Sequence, residues 1–178
     1  RTDTRVTGVT QDDASVTVEI EGCDSLTADV LLVAVGRGPV TDGLGLAEVG
    51  VVTDRGYVPT DERLRTNLPT VYAVGDVVPG LQLAHRGFAH GIFVAEQIAG
   101  PTPTPISDRS IPRVTYCDPE IASVGLTEAQ ARESDENVST YEYSLGGNGK
   151  SQILGTQGFV KLVKSSTGQV VGVDMIGA

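Results

Sequence analysis

The sequence has 178 residues, a formal net charge of −10, a hydrophobic fraction of 39%, two cysteines and two histidines. Its acidity argues against a nucleic-acid surface, and no apolar run approaches membrane-spanning length. The length allows a buried core in one or two domains. Cys23 and Cys117 belong to no C-x-x-C or metal-like spacing, so they read as structural thiols in a reducing, cytoplasmic compartment, with no metal site expected. Arg1 to Arg5 has no apolar segment behind it, and no signal peptide is expected.

Arg5 to Thr10 and Ser15 to Ile20 alternate as strands do, and the polar link Gln11 to Ala14 makes them a predicted hairpin. Val30 to Val35 is apolar at every position, which predicts a central strand covered on both faces. It closes on Gly36-Arg37-Gly38-Pro39. Gly56 to Asp61 reads as a short edge strand or turn, because Pro59 bars it from a sheet interior.

A second apolar run, Val71 to Val74, ends in Gly75-Asp76 and predicts another buried strand with a carboxylate at its carboxyl end. In open α/β sheets ligands sit at that end. Gly75 lets a ligand approach the backbone, and the ionised Asp76 accepts hydrogen bonds from hydroxyls. After Pro79-Gly80, the spacing predicts a helix from Leu83 to about Ala99, stopped by Gly100-Pro101. Phe88, Ile92, Ala95 and Ala99 would form its apolar face, and Gly87 and Gly91 would permit a close neighbour. Its amino end, with unpaired N–H groups and a positive dipole, is expected beside Asp76.

The proline-dense stretch Pro101 to Pro112 is the expected domain boundary. Beyond it, Arg113 to Tyr116, Ile121 to Gly125, Val138 to Tyr143, Phe159 to Val163 and Val170 to Ile176 are strand-like. Thr127 to Gln130 forms a capping box for a short helix, and Thr167-Gly168 a hairpin turn. Lys150, among Gly and Asn, reads as a solvated loop residue. This part predicts an α+β module with an antiparallel sheet.

Thr66 to Gly100 closely resembles the second flavin-binding motif of the pyridine nucleotide-disulfide oxidoreductases. Leu81-Gln82-Leu83-Ala84-His85-Arg86 is most similar to the members that oxidise dihydrolipoamide. Ala28 to Val51 resembles that family's exit from its NAD domain, although members commonly carry Arg and Asn where this chain has Gly38 and Val40. Tyr116 to Glu128 resembles the start of its dimerisation domain, and Gly147 to Ser151 follows a variant of its Asn-Ser-Arg-Ala pattern.

The resemblance implies a combined α/β and α+β fold. Residues 1–37 would end a Rossmann-like NAD domain, 38–107 would be the second segment of an FAD domain, and 108–178 a dimerisation domain. It implies FAD and NAD as cofactors. Asp76 would hold the ribityl chain, Gln82, Leu83, Ala84 and His85 would face the flavin pyrimidine, and Gly36 would lie against the nicotinamide nucleotide. His85 would help shape the flavin site, while His90 reads as a helix-face residue. The implied partners are a second copy through 108–178 and a lipoyl domain.

The G-x-G-x-x-G loops, the redox cysteine pair and the family's His-Pro/Glu base are absent from these residues, so no complete catalytic constellation is expected. Two alternatives stand beside dihydrolipoamide oxidation: a catalytically silent folding and dimerisation module, or another flavin-dependent disulfide reductase. Without the strands that would normally cover them, the Ile92/Ala95/Ala99 face and the Val71 run are expected to leave an apolar patch.

Overall fold

The computed structural model describes residues 2–135 and 137–177, which divide into two compact units, one ending at Arg37 and one beginning at Gly38. In the first, β1 (Val6–Gln11) and β2 (Val16–Ile20) form the predicted antiparallel hairpin. Asp12 closes its turn by accepting the amide hydrogen bonds of Ala14 and Ser15 at 2.8 and 2.7 Å. A third strand unforeseen from the sequence, β3 (Leu26–Ala28), adds to β2.

The predicted central strand Val30 to Val35 does not form. Val30, Leu32, Val33 and Val35 are 80%, 84%, 71% and 92% exposed. The sheet order β1-β2-β3 places no strand beside this run. A stretch apolar on both faces becomes a strand only where neighbours supply its hydrogen bonds and cover it.

The second unit begins with a turn-rich segment around a small core of Val51, Val58, Ala73 and Val78. Asp54 and Tyr57 bridge across Arg55-Gly56, whose φ values of 50° and 81° make a tight reversal, as the turn reading expected. The run Val71 to Val74 is likewise not a buried strand. It makes a single bridge, Arg65 to Tyr72, and Ala73 is buried while Val74 is 39% exposed. Its one flank is the Asp61–Arg65 turn, where Leu64, at φ 60°, accepts the Ala73 amide at 3.1 Å. α1 (Ala84–Ala99) then follows with Leu83 as its cap residue, one position later than the spacing predicts.

The carboxyl-terminal part is the expected α+β module. β4 (Arg113–Thr115), β5 (Glu120–Gly125), β6 (Ser139–Ser144), β7 (Phe159–Lys164) and β8 (Val170–Gly177) form one antiparallel sheet in the order β4-β5-β8-β7-β6. α2 (Glu128–Ser134) carries the predicted capping box between Thr127 and Gln130. It covers one face of the sheet through Ala131, which packs with Val138 and the fully buried Val163. The stretch around Lys150 is α3 (Gly149–Leu154) rather than a loop, because Asn148 caps it by accepting the Lys150 amide at 2.9 Å. Lys150 itself is exposed.

Glu128 ties α2 to the sheet. It accepts hydrogen bonds from Arg132 at 2.9 and 3.0 Å on its own helix and pairs with Lys161 of β7. Lys161 first, and then Arg132, holds its carboxyl below the ordinary value near 4.5. A carboxylate with a depressed folded pKa stabilises above its unfolded pKa, and that contribution is lost as pH falls through the folded value. Glu128→Gln is therefore expected to lower stability at pH 7, with its deficit against the unmodified protein shrinking below about pH 4.5. Thr127→Ala, which removes the cap, is expected to cost about 1 kcal/mol at either pH. Urea unfolding at pH 7 and pH 3 checks both.

Candidate functional site

The candidate site lies where the chain leaves Ala73-Val74 and turns into α1. Gly75–Val77 forms one 3-10 turn that packs against the first half of the helix. Two glycines meet at this contact. A Cβ at Gly87 would lie 3.5 Å from the Gly75 Cα, and one at Gly75 would lie 3.8 Å from the Gly87 Cα. Gly75 also sits at φ 74°, a conformation that favours glycine. Of the two helix glycines read as contact points, Gly87 is one. Gly91 meets nothing within 4 Å.

One helical turn on, His90 is 3% exposed and its Nδ1 accepts the Gly75 N–H at 3.3 Å. It is a buried anchor of the motif's turn, a role the spacing alone did not reveal. Arg86 is the second anchor. Its side chain, 5% exposed, pairs with Asp108 through Nε–Oδ1 at 2.7 Å and Nη2–Oδ2 at 3.3 Å. It also donates to the carbonyls of Pro79 at 2.8 Å and Val78 at 3.5 Å. One guanidinium thus joins α1, the Pro79-Gly80 turn and the connector through bidentate, charge-assisted bonds. Gly80 has φ 120°, and a Cβ there would fall 2.5 Å from Asp108 Oδ2 and 2.6 Å from Arg86 Nη2.

The buried face of α1 is thus Arg86, His90 and Phe93, not the Phe88/Ile92/Ala95/Ala99 face that the apolar spacing predicts. Phe88 and Ile92 are 72% and 62% exposed. Polar groups win the inner face because each has a partner there, including Gln97, which exchanges hydrogen bonds with Arg63. The Arg63 guanidinium also lies over the Phe93 ring, 5.5 Å from its centroid. Ile92, Ala95 and Ala99 are exposed as the anticipated apolar patch required, with Phe88 exposed on the same helix, whereas Val71 is half-buried against the small core.

Asp76 lies in the 3-10 turn with its side chain exposed. Gln82 and Leu83 precede the helix, and Ala84 and His85 open it. Leu83 provides no side-chain cap, so the Ala84 and His85 amides stay available to a ligand, while the Arg86 N–H donates to the Leu83 carbonyl at 3.0 Å. His85 is turned elsewhere in part: its Nε2 lies 2.7 Å from the Pro112 carbonyl. Gly36 belongs to the other unit, outside any helix or strand, at φ 110°. Cys23 and Cys117 are both exposed, unlike buried structural thiols. Among the described residues no three His, Cys, Asp or Glu side chains are grouped to hold a metal ion, and no helix is long and apolar enough to cross a membrane.

A backbone turn without side-chain obstruction, an exposed carboxylate and an uncapped helix end form a cradle for an elongated, hydroxyl-bearing ligand. The profile of the pyridine nucleotide-disulphide oxidoreductases matches residues 1–91, and that of their dimerisation domain matches residues 111–178. The chain belongs to this family. Among its relatives, the dihydrolipoyl dehydrogenase of Bacillus subtilis is 43% identical over 171 residues, 94% of this chain and 36% of that one. The mitochondrial dihydrolipoyl dehydrogenase of Caenorhabditis elegans is 39% identical over 182 residues, 98% of this chain and 37% of that one. In three dimensions, LpdA of Mycobacterium tuberculosis matches with a TM-score of 0.87 at 30% identity, covering 98% of this chain and 39% of LpdA. The HOCl-induced flavoprotein disulfide reductase RclA of Escherichia coli matches with a TM-score of 0.80 at 26% identity, covering 97% of this chain and 40% of RclA. The chain spans somewhat over a third of the length of these relatives.

Asp108→Ala is expected to destabilise the protein by about 1.5–3 kcal/mol, since it leaves a buried guanidinium without its charged partner. Asp108→Asn, which keeps one acceptor, is expected to cost less. Chemical denaturation at pH 7 measures the difference; equal costs would mean the pair acts only through bulk.

Proposed function

We propose that these residues are the later part of a flavoprotein disulfide oxidoreductase that oxidises dihydrolipoamide with FAD and NAD. The observation that carries the reading is the Gly75-Asp76 turn packed against the first half of α1, a helix whose amino end has no side-chain cap. The residues present fit FAD: the exposed Asp76 carboxylate can accept from ribityl hydroxyls, and no side chain at Gly75 or Gly87 fills the approach.

In this reading Asp76 orients the ribityl chain. Gln82, Leu83, Ala84 and His85 direct backbone N–H groups and the positive helix end at the electron-rich pyrimidine edge. Gly36 backs the nicotinamide nucleotide. When bound, the flavin supplies the electron-transfer chemistry, and the protein supplies position and electrostatics. Arg86 and His90 hold the two turns that set those positions. The relatives named dihydrolipoyl dehydrogenase support dihydrolipoamide as the substrate, with a lipoyl domain as the partner that delivers it.

The domain limits 1–37, 38–107 and 108–178 belong to the same proposal, as does a cytoplasmic location. The match to a dimerisation domain supports pairing of two copies through 108–178. So does the sheet face opposite α2, where Tyr141, Tyr143, Leu162 and Met175 remain 62%, 62%, 36% and 41% exposed.

A visible absorption spectrum of the purified full-length protein, followed through an NADH titration, tests the proposal. A flavin band that bleaches on reduction is expected, with Asp76→Ala weakening FAD retention about 10- to 100-fold through loss of a charged acceptor. A colourless protein that takes up no added FAD would assign these residues to a silent folding and dimerisation module. A flavin band with no turnover of dihydrolipoamide would point to another disulfide substrate.

A further inference from the structure

Two histidines lie on α1, and the flavin reading uses only the exposed one, His85. The buried one, His90, faces the turn that carries Asp76. We infer that His90 is a positioning residue for the cofactor site, and that its neutral ring, by accepting the Gly75 amide, makes FAD affinity depend on pH. The inference rests on the flavin reading of Asp76 and concerns how that same site is held.

The geometry leaves little freedom. Gly75 N–H points at His90 Nδ1 over 3.3 Å, and a ring nitrogen can accept only while unprotonated. Nδ1 must therefore be bare, with the ring proton on Nε2. Protonation turns the acceptor into a second donor aimed at an N–H. The Gly75 amide then loses its partner in a part-buried place, and the turn is released. Gly75 directly precedes Asp76, and the Gly75–Gly87 contact transmits any shift of that turn to the first half of α1. Both halves of the cradle respond to one proton.

The surroundings oppose that proton. Burial, and after it the charge of Arg86 one turn back on the helix, push the His90 pKa below its ordinary value near 6.5, while Asp108 pulls it up. The cleft that His90 shares, about 270 Å³, is also lined by Asp61 and Glu62. Asp108 is engaged by Arg86, and Asp61 accepts the amides of Arg63 and Arg65 at 2.8 and 2.9 Å. The neutral ring is thus favoured above about pH 6.5, and its hold on Gly75 is lost as pH falls through the lower folded value.

The test uses full-length protein stripped of FAD, with FAD binding followed by fluorescence quenching from pH 8 to 4.5. For the unmodified protein, Kd is expected to rise as pH falls through the folded pKa of His90, towards a limit of about three- to tenfold set by one lost hydrogen bond. His90→Gln, whose side-chain carbonyl can accept without titrating, is expected to bind at pH 8 and stay within about twofold throughout. His90→Phe, lacking an acceptor, is expected to bind weakly at every pH. In parallel, the hydrogen-exchange protection factor of the Gly75 amide should fall on acidification in the unmodified protein and hold in His90→Gln. If His90→Gln follows the unmodified pH curve, or Gly75 protection is unchanged, the inference is overturned. If no form binds FAD at pH 8 while Gly75 protection still titrates with His90, the flavin reading fails and, with it, the cofactor half of the inference, leaving His90 as an anchor of the turn alone.

Discussion

A contact between two residues without side chains governs the rest of this site. Gly75 and Gly87 bring a 3-10 turn and an α-helix into backbone contact, where a Cβ on either would lie 3.5–3.8 Å from the other's Cα. Where the backbones meet, the Gly75 amide is partly shielded from water, and His90 provides its acceptor from the next turn of the helix. The end of the turn is then held by Arg86, which gathers Val78, Pro79 and Asp108 around one buried guanidinium. The presentation of Asp76 beside the open amino end of α1 follows from these contacts.

The same logic accounts for the inverted amphipathicity of α1. A helix with apolar residues at helical spacing ordinarily buries them. Here the inner surface is taken by Arg86, His90 and Phe93, with Gln97 partnered to Arg63, while Phe88, Ile92 and Ile98 face outward. Each buried polar group has a specific bond to make, and leaving one unmade costs more than exposing a side chain such as Ile92. The exposed apolar face of α1 and the unpaired Val30 to Val35 run both belong to a chain spanning little over a third of its relatives' length. In the carboxyl-terminal sheet every strand has its neighbours, and there the pattern and the structure agree.

Local signals were therefore legible where their partners lie close by in sequence. The β1–β2 hairpin, the Thr127 capping box, the Thr167-Gly168 turn and the strands of the second sheet all follow from alternation, caps and turn residues, with errors of one or two positions. The candidate site residues Asp76 and Gln82 to His85 were legible as a carboxylate after an apolar run and a helix start. The anchors were not. Arg86 meets Asp108 across 22 positions, and His90 meets Gly75 across 15. In sequence, Gly87 and His90 read as part of an ordinary helix face, and only the turn geometry brings Gly75 to them.

By itself the amino-acid sequence determined the first hairpin, the Thr127 cap, the Thr167-Gly168 turn, the α+β character of the second half and the family resemblance, because these rest on local backbone preference and on motifs read in order. Only the tertiary structure decided which apolar runs became strands and which face of α1 turned inward. Those outcomes depend on whether each buried N–H, guanidinium and imidazole finds a partner, and such partners are contributed by segments distant along the chain.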